Sequence, residues 1–193
     1  MHSEGSISKI LSSKYKDTAR FRVPNIYVFK DDWETDFFVV QKASGYCYDI
    51  EIKITRADFF ADFKKQVKHL ILKTGLFTYK WSTGVGRPTV WTEYTKEVVH
   101  TFRPNKFYYC VPEGLIAIEE IPEYAGLMYV NNYSVWTVKE AKFIHKEKLK
   151  FETKLCDKFY WYWRTTLFEL TQTRIRNEEL HEEIKELKEK LGI

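Results

Sequence analysis

The sequence has only three cysteines, Cys47, Cys110 and Cys156, widely spaced and odd in number. No CxxC pair or Cys/His cluster accompanies them, which argues against a zinc site; all three read as small buried hydrophobes of a reducing compartment. No run of about 18 apolar residues occurs, so no membrane-spanning helix is expected. The opening Met-His-Ser-Glu-Gly-Ser has no basic region followed by an apolar run, so no signal peptide is expected, and the chain is placed in the cytoplasm. Neither sign of charge dominates. A formal net charge of +4 with a pI near 8.8 admits a polyanionic partner without requiring one. What is present is core material: 193 residues, 44% hydrophobic and 17% aromatic, suit one substantial domain with an appendage.

Ile7, Ile10, Leu11 and Lys14 recur at helical spacing, predicting a short first helix over 6–16. Pro24 ends a linker, after which strands are expected at 25–30, 35–41 and 46–54. Lys42-Ala43-Ser44-Gly45 turns the last two into an antiparallel hairpin. Thr55, with Asp58 in the first turn, caps a helix that runs to about Lys73 and stops at Gly75. Phe59, Phe60, Phe63, Val67, Leu70 and Ile71 are its expected core face, with Lys64, Lys65, Lys68 and His69 elsewhere around it. Residues 76–102 read as an inserted pair of strands. Core structure then resumes with strands at 106–111 and 126–130, and 139–149 reads as a helix or loop at the edge. The fold class is α/β: a mixed central sheet flanked by helices, an inserted hairpin and a C-terminal helix. The expected division is a domain over 1–155 and a helical extension over 156–193.

The strand over 46–54 carries the chemistry. Side chains alternate across a strand, so Asp49, Glu51 and Lys53 share one face and Tyr48, Ile50 and Ile52 the other. Burying three charges is costly unless they pair or hold a metal. The antiparallel turn brings Asp36 to the Glu51–Lys53 end. Two carboxylates converging beside a lysine suit a hard divalent cation such as Mg²⁺. The alternative is a structural salt-bridge network on the sheet.

Asp36, then fifteen residues on Glu51-Ile52-Lys53, then a helix opening Thr-Arg-Ala-Asp, resembles the PD-(D/E)XK nuclease superfamily. Within it, DIEIKITRADFFADFKK looks like the MmcB-like DNA repair nucleases, as do the later segments KFYYCVPEGLI and IPEYAGLMYV. The resemblance covers roughly 25–150 without 76–102. It implies a restriction-endonuclease-like fold and Mg²⁺-dependent (or Mn²⁺-dependent) hydrolysis of DNA in repair, recombination or phage-type DNA processing. It also implies metal ligands at Asp36, Glu51 and the backbone carbonyl of Ile52, a catalytic Lys53, and Lys64 pointing toward the scissile phosphate. Asp58 and Asp62 match as well, but capping and an Asp62–Gln66 pairing account for them. The chain departs from the pattern in having no proline before Asp36. Glu34 therefore stands as a rival or supporting ligand, Asp49 as a further candidate, and Glu4 as a weaker one.

Arg56, Lys64, Lys65, Lys68, His69 and Lys73 form a basic run that suits phosphates flanking the cleaved one, or simply a solvated helix face. Lys80 and Arg87, interleaved with Phe77, Tyr79, Trp81, Trp91 and Tyr94, suit contacts to unpaired bases or backbone, or else cross-strand pairs that hold the hairpin. Gly84-Val85-Gly86 lacks the downstream glycine and helix start of a nucleotide loop, so no nucleotide cofactor is expected. From Asp157 there is no Gly or Pro until Gly192. Leu180, Ile184, Leu187 and Leu191 make a short heptad seam that Asn177 joins, which suits either a homodimer through 170–193 or a helix packed back on the body. The aromatic run Phe159–Trp163 reads as core that docks the tail helix, or as a partner surface if it is left exposed. A second functional expectation is a nuclease-fold protein without activity, serving as a nucleic-acid-binding or assembly module.

Overall fold

The computed structural model describes residues 2–29, 33–82, 91–97 and 103–191, with the side chains of 78–82 and 91–93 outside that description. The chain divides into two compact units, Met1–Lys150 and Phe151–Ile193. The first unit is a mixed α/β structure in the order α1 (Glu4–Lys14), β1 (Ala19–Tyr27), β2 (Glu34–Gln41), β3 (Cys47–Ile52), α2 (Arg56–Asp62), α3 (Gln66–Thr74), β4 (Leu76–Ser82), β5 (Trp91–Glu97), β6 (Lys106–Pro112), β7 (Ala125–Val130) and β8 (Val135–Lys139). Six strands form one sheet in the order β1-β2-β3-β6-β7-β8, and β4 pairs with β5 by itself. β3–β6 and β6–β7 are parallel and the other pairs antiparallel. β3 is therefore an interior strand. Among the described residues no helix is long and apolar enough to cross a membrane.

Strand alternation sorts the two faces as the period-2 pattern demands. Phe37, Ile50, Ile52, Tyr108 and Cys110 pack with Ile7 and Leu11 of α1. The other face carries Asp49 and Glu51, registered beside Phe107 and Tyr109 of β6. Ser3 caps α1 through a reciprocal box with Ser6, and Thr55 accepts from the Asp58 N–H to open α2.

Several sequence expectations need correction. Pro24 lies inside β1, not before it; β1 is an edge strand, where a missing N–H is tolerated. The strand expected at 25–30 thus begins earlier and ends at Tyr27. The helix expected over 55–73 is two helices. Lys64 N–H donates to Ala61 O and Lys65 N–H to Asp62 O, tightening the chain into a break that α3 leaves with a new phase. That phase exposes Val67 and buries Lys68; Phe60, ahead of the break on α2, is exposed as well. Gly75 ends α3 at φ 74°, a left-handed cap that favours glycine. The expected helix or edge loop at 139–149 is preceded by a strand, β8, and continues as irregular chain. The inserted hairpin is present, with Tyr79 opposite Tyr94 and Lys80 opposite Glu93 in register, while its turn, including Arg87, lies outside the described residues. Cys47 and Cys110 are buried but Cys156 is exposed.

The second unit holds α4 (Glu152–Leu191), a helix of 40 residues. Phe159, Tyr160, Trp161, Tyr162 and Trp163, expected as core, are all more than half exposed. Five consecutive aromatics go around a helix in every direction, so they cannot share one buried face.

Asn105, fully buried, fastens the irregular segment after β8 to the sheet. Its Oδ1 accepts from the Cys47 N–H at 2.8 Å, and its Nδ2 donates to His145 O at 3.1 Å and Glu147 O at 2.7 Å. Asn105→Ala removes all three hydrogen bonds and is expected to cost about 3 kcal/mol in chemical denaturation, whereas a loss under about 1 kcal/mol would show that the clamp is dispensable.

Candidate functional site

β2 and β3 pair in register from Val40 opposite Cys47 to Phe37 opposite Ile50. Beyond that point the Ile52 N–H donates to Asp36 Oδ2 at 2.8 Å, a side-chain bond where the ladder ends. Asp36, Glu51 and Lys53 meet there. The Lys53 ammonium lies 2.8 Å from Glu51 Oε1 and 3.9 Å from both Asp36 Oδ2 and Asp58 Oδ1. Burial works to lower the Lys53 pKa, but the Glu51 charge and hydrogen bond, with Asp36, outweigh it and hold it above its ordinary value.

Glu51 is fully buried, and α3 with its N-cap residue supplies two further cations to it. Lys68 Nζ reaches Glu51 Oε2 at 2.6 Å and Lys65 Nζ reaches Oε1 at 3.3 Å. Lys68 also sits 5.0 Å from the Phe107 ring centroid and 5.6 Å from that of Trp33, so aromatic faces complete its surroundings. Asp62 at the end of α2 ties the cluster together. It meets Lys65 at 3.1 Å and Lys68 at 3.4 Å, accepts from Tyr109 OH at 2.8 Å, and lies 3.2 Å from His69 Nε2. His69 Nδ1 in turn contacts Tyr124 OH at 2.7 Å. Burial alone would raise the Asp62 pKa; His69, Lys68, Lys53 and Tyr109 overcome it and hold the carboxyl far below the usual range. The expected Asp62–Gln66 pairing is replaced by these contacts.

Asp49 is the exception. It is fully buried, and neither carboxyl oxygen has a hydrogen-bond partner among the described residues. Burial pushes its pKa well up; Lys68 opposes this, and Glu51, Asp36 and Asp62 add to it.

The remaining sequence candidates scatter. Lys64 is exposed and lines a cleft of about 630 Å³ together with Glu34, Asp36, Lys65 and Lys68, but makes no ion pair with Glu51. Glu34 accepts from Tyr27 OH at 3.0 Å. Arg56 grips Glu120 and donates to Leu115 O, away from the acidic cluster. Glu4 acts on Asp36 only as a weak like charge. The side chain of Lys80 and all of Arg87 lie outside the described residues. Asp62, Tyr109 and Tyr124 were missed as partners. The i, i+3, i+7 spacing of Asp62, Lys65 and His69 was the available signal.

Among the described residues no three His, Cys, Asp or Glu side chains are grouped to hold a metal ion. The strand end instead offers two carboxylates, Asp36 and Glu51, that one Lys53 ammonium already reaches. A pair of carboxylates is a donor set that Mg²⁺ accepts, since it keeps several waters and takes one or two carboxylates. The buried, unpartnered Asp49 lies close by, but burial pushes its pKa well up and so favours its neutral form. The residue types therefore fit a hard divalent cation.

The Asp36 carboxyl is pushed up from 3.8 to about 7, first by burial and then by Glu51, against the lowering effects of Lys53 and the Ile52 N–H. Between those two values the folded chain keeps a proton that the unfolded chain has released, so this group's effect is to reduce stability as pH rises through that window. Asp36→Asn is expected to melt above the wild type at about pH 8 in the presence of a chelator, with the gap closing toward about pH 5. A gap that does not change with pH would contradict the assigned shift.

No family model and no curated protein matches the chain. A solved structure of a protein of unknown function from Silicibacter pomeroyi is similar to it, with a TM-score of 0.55 and 14% identity over 86% of this chain and 92% of that one. At that identity the two chains share a fold, and the chemistry must be argued from the residues of this one.

Proposed function

We propose that this chain is a metal-dependent DNA endonuclease of the PD-(D/E)XK type. One observation carries the reading: Asp36 from β2, Glu51 from β3 and Lys53 just past it converge at the end of an interior strand, with the Lys53 ammonium between the two carboxylates. The sequence resemblance named the same three residues.

In this reading Asp36 and Glu51, with the Ile52 carbonyl, would hold Mg²⁺ or Mn²⁺. The ion, when bound, stabilises negative charge on a phosphate and lowers the pKa of a coordinated water. Lys53, kept charged by its carboxylates, orients the attacking water and stabilises the charge that develops on the phosphoryl oxygens. Water adds at phosphorus and one P–O ester bond breaks, leaving a phosphate monoester on one fragment and a hydroxyl on the other. Lys64 and Lys65, both exposed on the cleft, meet the phosphates on either side. Lys68 is buried on Glu51, so it positions that carboxylate and does not touch DNA.

A second reading rests on that same burial. Three lysines already neutralise Glu51, so the cluster can serve as a structural network in a nucleic-acid-binding or assembly protein that retains the fold. The two readings part in a cleavage assay on plasmid, linear, single-stranded and branched DNA with Mg²⁺ or Mn²⁺. Cutting that falls by about 100-fold or more in Lys53→Ala and in Glu51→Gln, each with a wild-type circular dichroism spectrum, supports the nuclease. Cutting that survives both substitutions sinks the mechanism, and no cutting of any substrate favours the second reading.

A further inference from the structure

α4 leaves an apolar seam uncovered toward its C-terminal end. Leu180, Ile184, Leu187 and Leu191 are 38%, 50%, 56% and 70% exposed, and Asn177 on the same seam is exposed too. In a heptad frame Asn177, Ile184 and Leu191 take position a and Leu180 and Leu187 position d. The frame continues toward the start of the helix through Leu170, Trp163 and Phe159, each more than half exposed, with Thr173 and Thr166 at the intervening d positions. At 40 residues the helix is about 60 Å long, enough for five heptads. A helix with this much apolar surface in water needs an occupant for its seam.

We propose that the occupant is a second copy of this chain, joined through α4 as a parallel, in-register, two-stranded coiled coil. Three features select that arrangement. A β-branched Ile184 at a between leucines at d favours two strands. Asn177 at a meets its own copy only when the helices are parallel and in register, where each amide can satisfy the other. An antiparallel pair would set it against a d residue instead. Charge at the flanking positions agrees: a parallel pair sets Glu169 at g against Arg174 at e of the partner helix, and Glu183 at g against Lys188 at e. The intervening Arg176 and His181 supply no attractive pair. Within one helix Arg176 already approaches Glu179 at 3.1 Å and Glu183 at 3.9 Å, so those carboxylates are arranged along the edge of the seam. The seam belongs to the second unit alone, and the inference stands whether or not the cluster around Glu51 cuts DNA.

Sedimentation equilibrium of the full chain over a micromolar range is expected to give a dimer, and Leu187→Asp a monomer with the sheet domain still folded. Glu183→Lys and Lys188→Glu are each expected to weaken the dimer several-fold, and the double variant to recover it. In a Cys156→Ser background, Asn177→Cys should oxidise to a disulfide-linked dimer on a non-reducing gel, since Cys47 and Cys110 are buried. A wild-type monomer at every concentration, or a trimer, overturns the proposal. A dimer that the Asn177→Cys variant does not cross-link overturns the parallel register.

Discussion

The Glu51 carboxylate is the constraint around which the first unit is arranged. It is fully buried on an interior strand, and three lysines reach it, one just past β3, one at the N-cap of α3 and one within α3. A lone carboxylate in that position would be prohibitively costly, and even a paired one gains little net stability over an apolar residue. The cluster is therefore poorly explained as a device for stability. What the arrangement provides is a fixed set of charges at the mouth of a cleft, held by the sheet below and α3 above.

The break between α2 and α3 is what makes this possible. A continuous helix would keep one phase across the whole segment. The two tightened hydrogen bonds after Asp62 reset that phase, turning Lys68 inward onto Glu51 and leaving Lys65 half in solvent. Asp62 at the hinge then binds both lysines and receives Tyr109 and His69. One acidic residue thus links α2, α3 and β6. Asp49, buried without a hydrogen-bond partner among the described residues, is driven toward its neutral form by that burial.

The sheet was largely legible in the sequence, because a strand with one apolar face writes a period of two that survives tertiary packing. That same period placed Asp49, Glu51 and Lys53 on one face, and the short turn after Gln41 placed Asp36 beside them. β1 was misjudged because proline reads as a terminator unless one knows the strand lies at an edge. The helix break was invisible because nothing in Phe63-Lys64-Lys65 is a breaker; it is fixed by contacts from other elements. Lys68 was expected in solvent for the same reason, since lysine is buried only when a carboxylate waits for it. The aromatics at the start of α4 misled in the opposite direction: Phe, Tyr and Trp signal a need for burial without saying that the partner lies in the same chain.

The two units differ in kind, with buried charge in the sheet domain and uncovered apolar surface in α4. The central claim is that the charges around Glu51 form a cation site and are more than a structural network. Calorimetric titration of Mg²⁺ and Mn²⁺ into the full chain, without DNA, tests it most directly. The account predicts saturable binding to the wild type that disappears in both Asp36→Asn and Glu51→Gln while their folds are retained. No binding to the wild type, or equal binding to the Glu51→Gln variant, would contradict it.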